Sequence, residues 1–345
     1  MVKSIFSNLK WRGIIADISL AVATLCIAIA TCVYIFPGTF LGEAAAFFVP
    51  QILLTIVLAL VAFIITSAKL NIFLGLGCCL LLLVSFSFYR ITLVQTGGAT
   101  HNTGESLKLM TVNLEHMRRG EGLLKNAIDS HDPDLVVFQE TGGTAWIIEK
   151  LLADTYPYSF SPPKGFDADI TIFSRLPLVN SSRSEISNMP QNPNITKEFV
   201  ETTVLVGGER LKLFALHPSS PRTWDRLRAR EAYMSYIRSH IRRERKASED
   251  NSSLAVVGDW NTSIWSGSSQ FTFRHLGLHT RFPSKLPSNT RYFFRPELSS
   301  LLGAQVDHIA VSTDLSVSNP KVGPHIDSDH LPLVAEITFP SAKER

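Results

Sequence analysis

Hydrophobic positions are spread unevenly along the chain, and the unevenness divides it in two. Three long apolar stretches dominate the first 95 residues, at about Ile14–Phe36, Ala46–Thr66 and Ile72–Phe88. Each approaches the ~20 apolar residues that a helix needs to cross a bilayer. The first carries a single carboxylate, Asp17, near its start. Buried core helices share this composition, and the first stretch has features of a secretory signal. A cleaved signal is disfavoured, because its apolar region would be shorter and no small-residue cleavage site precedes a soluble segment. The pattern therefore predicts three transmembrane helices within residues 1–95.

Beyond them the periodicity changes. Residues 96–106 are polar and glycine-containing, as expected of a linker. From 107 to 345 strand-like and helix-like stretches alternate. Two-residue alternation or short apolar runs predict strands at 107–114, 133–141, 168–178, 253–261, 305–312 and 331–339, with a hairpin over 199–218. Helical spacing marks 122–131, 144–155 and 223–246. Such mixing over one region predicts a layered α/β sandwich in a single domain. The sequence shows no internal repeat.

Charge separates the two parts further. Lys3, Lys10 and Arg12 precede the first apolar stretch and Lys69 lies between the second and third, whereas the other loop has only Glu43. The excess of positive charge on cytoplasmic loops then keeps the N-terminus inside and sends residues 96–345 outside, against the single outer cation Arg90. Residues 96–345 are then expected to form an extracytoplasmic domain of an integral membrane protein. The 28 Lys/Arg of residues 96–345 are balanced by 28 Asp/Glu. The domain therefore lacks the global basic footprint of many nucleic-acid binders. All four cysteines (Cys26, Cys32, Cys78, Cys79) lie in the apolar stretches, so the domain has no thiolate nucleophile and no Cys-ligated zinc.

The informative polar residues sit where strands end. VNLE places Asn113 and Glu115 two apart, and so on one face of a strand, FQET puts Glu140 after an apolar run, and GDWN repeats the arrangement with Asp259 and Asn261 on one face. Each is equally compatible with a solvated exit or turn. Asp307 falls inside a strand, where an acid requires a partner. His217 closes ALHP. In SDHLPL, Asp329 and His330 enter the last strand through what is either a polar turn or the edge of a site. No HExxH, P-loop, Rossmann glycine pattern or GxSxG elbow occurs. Acids, amides and histidines collected at strand ends suit hydrolysis of a phosphate ester with a hard divalent cation, which carboxylate and amide oxygens bind well.

Two further features stay open between bland and functional readings. Arg222, Arg226, Arg228, Arg230, Arg238, Arg242, Arg243, Arg245 and Lys246 line the helix at 223–246, either as a solvated face or as contacts for phosphates or anionic lipid. Trp260, Trp265, Phe271, Phe273, Tyr292, Phe293 and Phe294 are core residues or platforms for bases or lipid.

In their order, VNLE, FQET, SRLP, ALHP, GDWN, VDHIAVS and SDHLPL resemble the signature of the endonuclease/exonuclease/phosphatase superfamily over about residues 106–340. This superfamily contains deoxyribonuclease I-like nucleases, apurinic/apyrimidinic endonucleases, inositol-polyphosphate phosphatases and bacterial sphingomyelinases. The closest likeness is to bacterial members with N-terminal transmembrane helices. The resemblance implies a four-layer sandwich, two packed mixed β-sheets flanked by helices, and a Mg²⁺-dependent phosphoesterase, with Mn²⁺ as an alternative ion. By the same resemblance Glu140 would be the principal metal ligand, with Asn113, Glu115 and Asp329. Asp259 would hold or deprotonate the attacking water, Asn261 and His217 would bind phosphate oxygens, and His330, oriented by Asp307, would stabilise the transition state. Arg175 of SRLP would be structural or phosphate-facing. The implied partners are the membrane and a nucleic-acid, lipid or glycan phosphate ester. A catalytically inactive sensor or scaffold is the alternative.

Overall fold

The computed structural model describes residues 2–67, 69–96, 102–115, 120–162, 168–186, 197–247, 253–284 and 286–341. The centre of the expected linker, residues 97–101, lies outside them. The chain forms two compact units, Met1–Thr92 with Trp265–Gly267, and the remainder.

The first unit is helical: α1 (Val2–Ile35), α2 (Phe40–Ala46), α3 (Val49–Thr66) and most of α4 (Leu70–Gln95). Three segments, Lys10–Ile35, Val49–Thr66 and Leu70–Gln95, are long and apolar enough to cross a membrane. Only 22%, 28% and 11% of their most apolar windows are buried, so most of that apolar surface faces outward. The helices meet through small residues, Ala23, Ala30 and Ala59, packed with Ile56, Leu60 and Leu83, the close-approach packing typical of membrane helices. The Arg12 guanidinium donates to the Ile65 carbonyl at 3.0 Å, which brings the start of α1 to the end of α3. The second expected apolar stretch starts later than its hydropathy suggests. A turn capped by Thr39, whose hydroxyl accepts the Gly42 N–H at 3.2 Å, opens α2, and Pro50 sits in the first turn of α3.

The second unit contains α5 (Glu121–His131), α6 (Ala145–Leu152), α7 (Trp224–Ala247), most of α8 (Gly267–Leu276) and the strands. In chain order these are β1 (Ser106–Asn113), β2 (Leu135–Gln139), β3 (Tyr158–Phe160), β4 (Ile170–Ser174), β5 (Leu178–Ile186), β6 (Lys197–Val206), β7 (Glu209–Leu216), β8 (Ser253–Asp259), β9 (Leu278–His279), β10 (Arg291–Tyr292), β11 (Gly303–Ala304), β12 (Asp307–Ser312), β13 (Ser316–Val322) and β14 (Leu333–Thr338). One sheet has the order β13-β14-β1-β2-β4-β3 and the other β5-β6-β7-β8-β12-β9. Each is built around a parallel pair, β1/β2 and β7/β8, flanked by antiparallel strands. Each parallel pair needs a crossover, supplied by α5 in one sheet and α7 in the other.

Alternation along the strands sends one side-chain set between the sheets and the other toward helices. Leu107, Leu109, Val137 and Ile337 of one sheet meet Val204, Leu213, Val257 and Ile309 of the other in a single buried cluster. On the outer face of the first sheet, Met110, Val112 and Phe138 pack on Leu124 and Ile128 of α5 and Ile148 of α6. On the other outer face, Phe199 and Phe214 contact His240 of α7. This is the expected four-layer α/β sandwich. The β6–β7 hairpin turns at Gly207-Gly208, both at positive φ (55° and 100°), which a two-residue turn between strands of this twist requires. Gly258 stands at φ 122°, and a Cβ there would lie 2.2 Å from the Leu216 carbonyl oxygen, so β7 and β8 close together only over a bare backbone.

The structure adds strands that periodicity did not mark: β3, β5, β13 and the two-residue β9, β10 and β11. The stretch expected as one strand at 168–178 contains β4, which stops at Ser174, and Pro177 separates it from the start of β5 at Leu178. Of the aromatic residues, Trp260, Trp265, Phe273 and Tyr292 are buried, while Phe271, Phe293 and Phe294 are exposed.

His308 follows Asp307 and is fully buried against the Trp260 ring, with centroids 4.4 Å apart. Its Nε2 lies 2.8 Å from the Thr262 carbonyl and its Nδ1 3.3 Å from Gln305 Nε2. A donor on one side and an acceptor on the other fit the neutral ring alone. Burial pushes its pKa down to about 4, with the Thr262 carbonyl and Asp259 opposing weakly. Unfolded, the ring titrates near 6.5. The unfolded chain therefore takes up the proton first, so the stabilisation is complete above about pH 6.5 and fades as the pH falls toward 4. Urea unfolding of the detergent-solubilised protein at pH 7.5 and 5.0 should show a loss of about 2 kcal/mol from this group at the lower pH, which His308→Gln reduces. An equal pH-dependence in the variant would refute the assignment.

Candidate active site

Strand direction assembles the site. The C-terminal ends of β1, β2, β7 and β8 and the N-terminal ends of β4, β6, β12 and β14 lie along one edge of the sandwich, as the register pairs Gln139↔Ile170, Phe199↔Leu216, Asp307↔Asp259 and Thr111↔Leu333 show. All nine sequence-derived candidates lie at these ends. Arg175 does not: it follows the far end of β4, pairs with Asp132 at 2.5 Å and stacks over Tyr156, a structural role.

Three of the candidates occupy strained backbone immediately past their strands. Glu115, Glu140 and Asn261 have φ of 46°, 52° and 48°, a left-handed conformation that non-glycine residues adopt at some cost and often at functional sites. This corrects the expectation that Asn113/Glu115 and Asp259/Asn261 share a strand face. Instead the Glu115 N–H donates to Asn113 Oδ1 at 2.9 Å and the Asn261 N–H to Asp259 Oδ1 at 2.8 Å, two turns in which the short polar side chain satisfies the backbone two residues on.

Asp259 is the hub. Buried at 1% exposure, its Oδ2 accepts from Asn113 Nδ2 at 3.2 Å and lies 3.7 Å from His217 Nε2 and 3.6 Å from His330 Nε2. Asn113 Nδ2 also donates to Glu140 Oε1 at 2.9 Å, and His217 Nε2 lies 3.4 Å from that oxygen. The Asn113–Asp259 bond joins one sheet to the other. His330 Nδ1 is bound to Asp307 Oδ2 at 2.9 Å, which leaves Nε2 facing Asp259 and, at 3.6 Å, Asp329 Oδ1. Burial opposes a charge on this ring, but the carboxylates of Asp307, Asp259 and Asp329 outweigh it and raise the imidazole to about 9. His330 is therefore a cation at neutral pH, aimed into the cleft.

The remaining candidates lie at the periphery. Asp329 is held by a forked pair of bonds from Arg291, at 3.0 and 2.7 Å. Glu115 is exposed, and its carboxylate accepts the Asp329 N–H at 3.2 Å. Asn261 donates to the Pro218 carbonyl at 3.0 Å, while its own carbonyl is gripped by Arg230 at 2.8 Å. Arg230 is thus buried rather than part of a solvated face, as is Arg238. The Oδ1 atoms of Asn261 and Asp307 are buried and have no hydrogen-bond partner among the described residues, an arrangement that costs energy unless something else binds there.

Other residues belong to the site that strand-exit reasoning missed. Asp169 accepts from His217 Nδ1 at 2.8 Å and from Lys197 at 3.0 Å, and these two partners overcome burial to hold its pKa well below the usual carboxylate range. Ser328 does more than turn the chain, since its hydroxyl donates to the Asn113 carbonyl at 2.7 Å and accepts the His330 N–H at 3.0 Å. Asp169 precedes β4 and Lys197 opens β6, both antiparallel strands whose entry ends arrive at the same edge as the exits of parallel ones. Acids and cations just ahead of apolar strands were the overlooked signal.

Oxygen donors dominate the cluster, and the unit that holds them contains no cysteine. Carboxylate and amide oxygens of this kind fit Mg²⁺ or Mn²⁺, and two orphaned buried oxygens strengthen the fit. Asp259, Asp307 and His330 also lie close enough together to share a cation, with candidate ligand atoms within 4.8 Å of one another.

Residues 110–330 match the Endonuclease/Exonuclease/phosphatase family. No curated protein matches the sequence. Among solved structures, an endonuclease/exonuclease/phosphatase from Beutenbergia cavernae superposes with a TM-score of 0.55 at 18% identity, covering 69% of this chain and 72% of its own. A mannosyl-6-phosphatase of Bacteroides thetaiotaomicron gives 0.53 at 19% identity, covering 68% and 100%. The human Nocturnin catalytic domain, with bound sulfate, gives 0.52 at 18%, covering 69% and 96%.

Proposed function

The chain belongs to the endonuclease/exonuclease/phosphatase family, and from that premise we propose that it is a membrane-anchored, divalent-metal-dependent phosphoesterase. The observation that carries this reading is the convergence of Asn113, Glu140, His217, Asp259 and His330 from both sheets on one cleft. A fold kept only for binding would not need a carboxylate hub between two histidines. Residues 1–95 form the anchor, 96–106 the linker and 107–345 the catalytic domain.

Glu140 and Asn113, with Glu115 and Asp329, would hold Mg²⁺ or Mn²⁺. When bound, such an ion neutralises phosphoryl oxygens and makes water more acidic. Asp259 aligns the attacking water and accepts its proton. Cationic His330 donates from Nε2 to the oxygen on which charge grows, and Asp307 on Nδ1 fixes the ring's orientation. His217, oriented by Asp169, and Asn261 hold the other phosphoryl oxygens. Phosphoryl transfer depends mainly on positioning and electrostatics, which these fixed groups supply.

Hydrolysis of bis-p-nitrophenyl phosphate by the detergent-solubilised protein is expected with Mg²⁺ or Mn²⁺ and not with EDTA. Glu140→Gln should raise the metal concentration for half-maximal rate by roughly tenfold or more. Turnover undiminished by EDTA would overturn the metal role. The charge pattern of the helices supports an extracytoplasmic domain in a bacterial inner membrane: Arg12 meets the end of α3 close to Lys69, at the N-terminal side. Protease added outside spheroplasts should then digest the domain, and full protection would reverse the orientation.

A further inference from the structure

A cavity of about 310 Å³ opens from Glu140, His217 and Asn261 toward the loop that leads into α7. Pockets for small ligands start at roughly 300 Å³, so there is room beside the group bound at His217 and His330. The far wall is His217-Pro218-Ser219-Ser220-Pro221-Arg222, a segment stiffened by two prolines and closed by an Arg222 N–H bond to the Ser220 carbonyl at 2.9 Å. Four cations line the cavity. Lys197 and Arg291 are neutralised by Asp169 and Asp329. Arg222 and Arg226 have no ion pair among the described residues; Arg222 closes the wall and Arg226 lines the cavity from the first turn of α7. Between them and His217, Ser219 is 6% exposed and its hydroxyl has no hydrogen-bond partner among the described residues. A hydroxyl that opens onto the cavity beside two exposed guanidinium groups without an ion pair is a recognition site for an anion.

We propose that Ser219, Arg222 and Arg226 form a second phosphate subsite, which selects substrates carrying another phosphoryl group next to the one hydrolysed. This assignment rests on the phosphoesterase reading for its geometry, because the subsite shares a cavity with Glu140 and His217. The chain as a whole needs no basic surface for such recognition: two arginines placed locally do in a neutral domain what a broad positive field does elsewhere. The second phosphate has two chemical sources, the next linkage of a nucleic-acid strand or an extra phosphate on a lipid headgroup.

The test uses the detergent-solubilised full chain with Mg²⁺. One arm compares dithymidine monophosphate with its 5′-phosphorylated form, and the other compares phosphatidylinositol with phosphatidylinositol 4-phosphate in mixed micelles. The expected result is a tenfold or larger preference in kcat/KM for the doubly phosphorylated member of one arm, expressed mainly in KM, which identifies the source. R222Q/R226Q should erase the preference and leave bis-p-nitrophenyl phosphate turnover within about twofold. Turnover of bis-p-nitrophenyl phosphate without a preference in either arm, or a preference that survives the double variant, overturns the subsite alone. If no ester is hydrolysed, the phosphoesterase reading fails. Calorimetric binding of inorganic pyrophosphate in EDTA then decides the subsite, since binding that R222Q/R226Q does not weaken at least tenfold refutes it.

Discussion

Asp259→Asn is expected to lower kcat on bis-p-nitrophenyl phosphate by about 10³-fold or more, while the protein stays folded. The side chain is nearly isosteric, and its Oδ1 can still accept the Asn261 N–H that shapes the turn. What disappears is the charge on Oδ2. That oxygen accepts from Asn113 and stands within 3.7 Å of both His217 and His330. An amide there cannot accept a proton from water, and if it presents its NH₂ it faces the Asn113 amide and the cationic His330 as donors. Loss of one electrostatic contact at such a site typically costs 10²–10³ in rate, and here the base is lost as well. Steady-state kinetics together with far-UV circular dichroism checks the expectation. A rate within tenfold of wild type would remove Asp259 from the mechanism.

The second large effect is expected at His330. His330→Gln should reduce kcat by roughly 10²–10³ with a smaller change in KM, because the lost cation acts where charge develops rather than where substrate is held. Asp307→Asn should give a partial loss of the same kind. The ring would remain hydrogen-bonded on Nδ1, but the carboxylate that contributes most to keeping it protonated would be gone. Folding is a real concern at so buried a pair, since removing one partner strands the other. The informative comparison is therefore with His330→Gln/Asp307→Asn. If the two act as one unit, the double variant is no worse than His330→Gln alone. Independent, multiplicative losses would show that Asp307 acts elsewhere.

Much of this architecture was legible in the sequence because the strands obey a strict alternation. Val204, Leu213 and Val257 fall inward for the same reason that Leu109 and Ile337 do, and the four-layer sandwich follows. The three apolar helices were equally plain, since a bilayer-length run depends on composition alone. Edge strands β3, β5 and β13 were not, because half-buried strands carry polar residues on both faces and lose the period. The likeness between the sheets, each a parallel pair with antiparallel flanks, left no repeat in the sequence to betray it. In the site, the exits of strands drew attention and the entries did not. That is why Glu140 and Asp259 were found and Asp169 was missed, although Asp169 grips the histidine that faces both. Nor could spacing alone reveal that Glu115 and Asn261 leave their strands through left-handed turns, since an extended chain and a tight turn both separate residues by two.

The position of β14 has a further consequence, for the order of events during synthesis. Among the described strands it is the last in chain order, yet it lies between β13 and β1, the first in chain order. The first sheet therefore stays open along one side of β1 until residues 333–338 have been made, and His330, three residues before β14, cannot reach Asp307 until that gap closes. A nascent or C-terminally truncated chain thus holds Glu140, His217 and Asp259 without the cation that completes them. The cluster is completed in a single late step, when β14 enters the sheet.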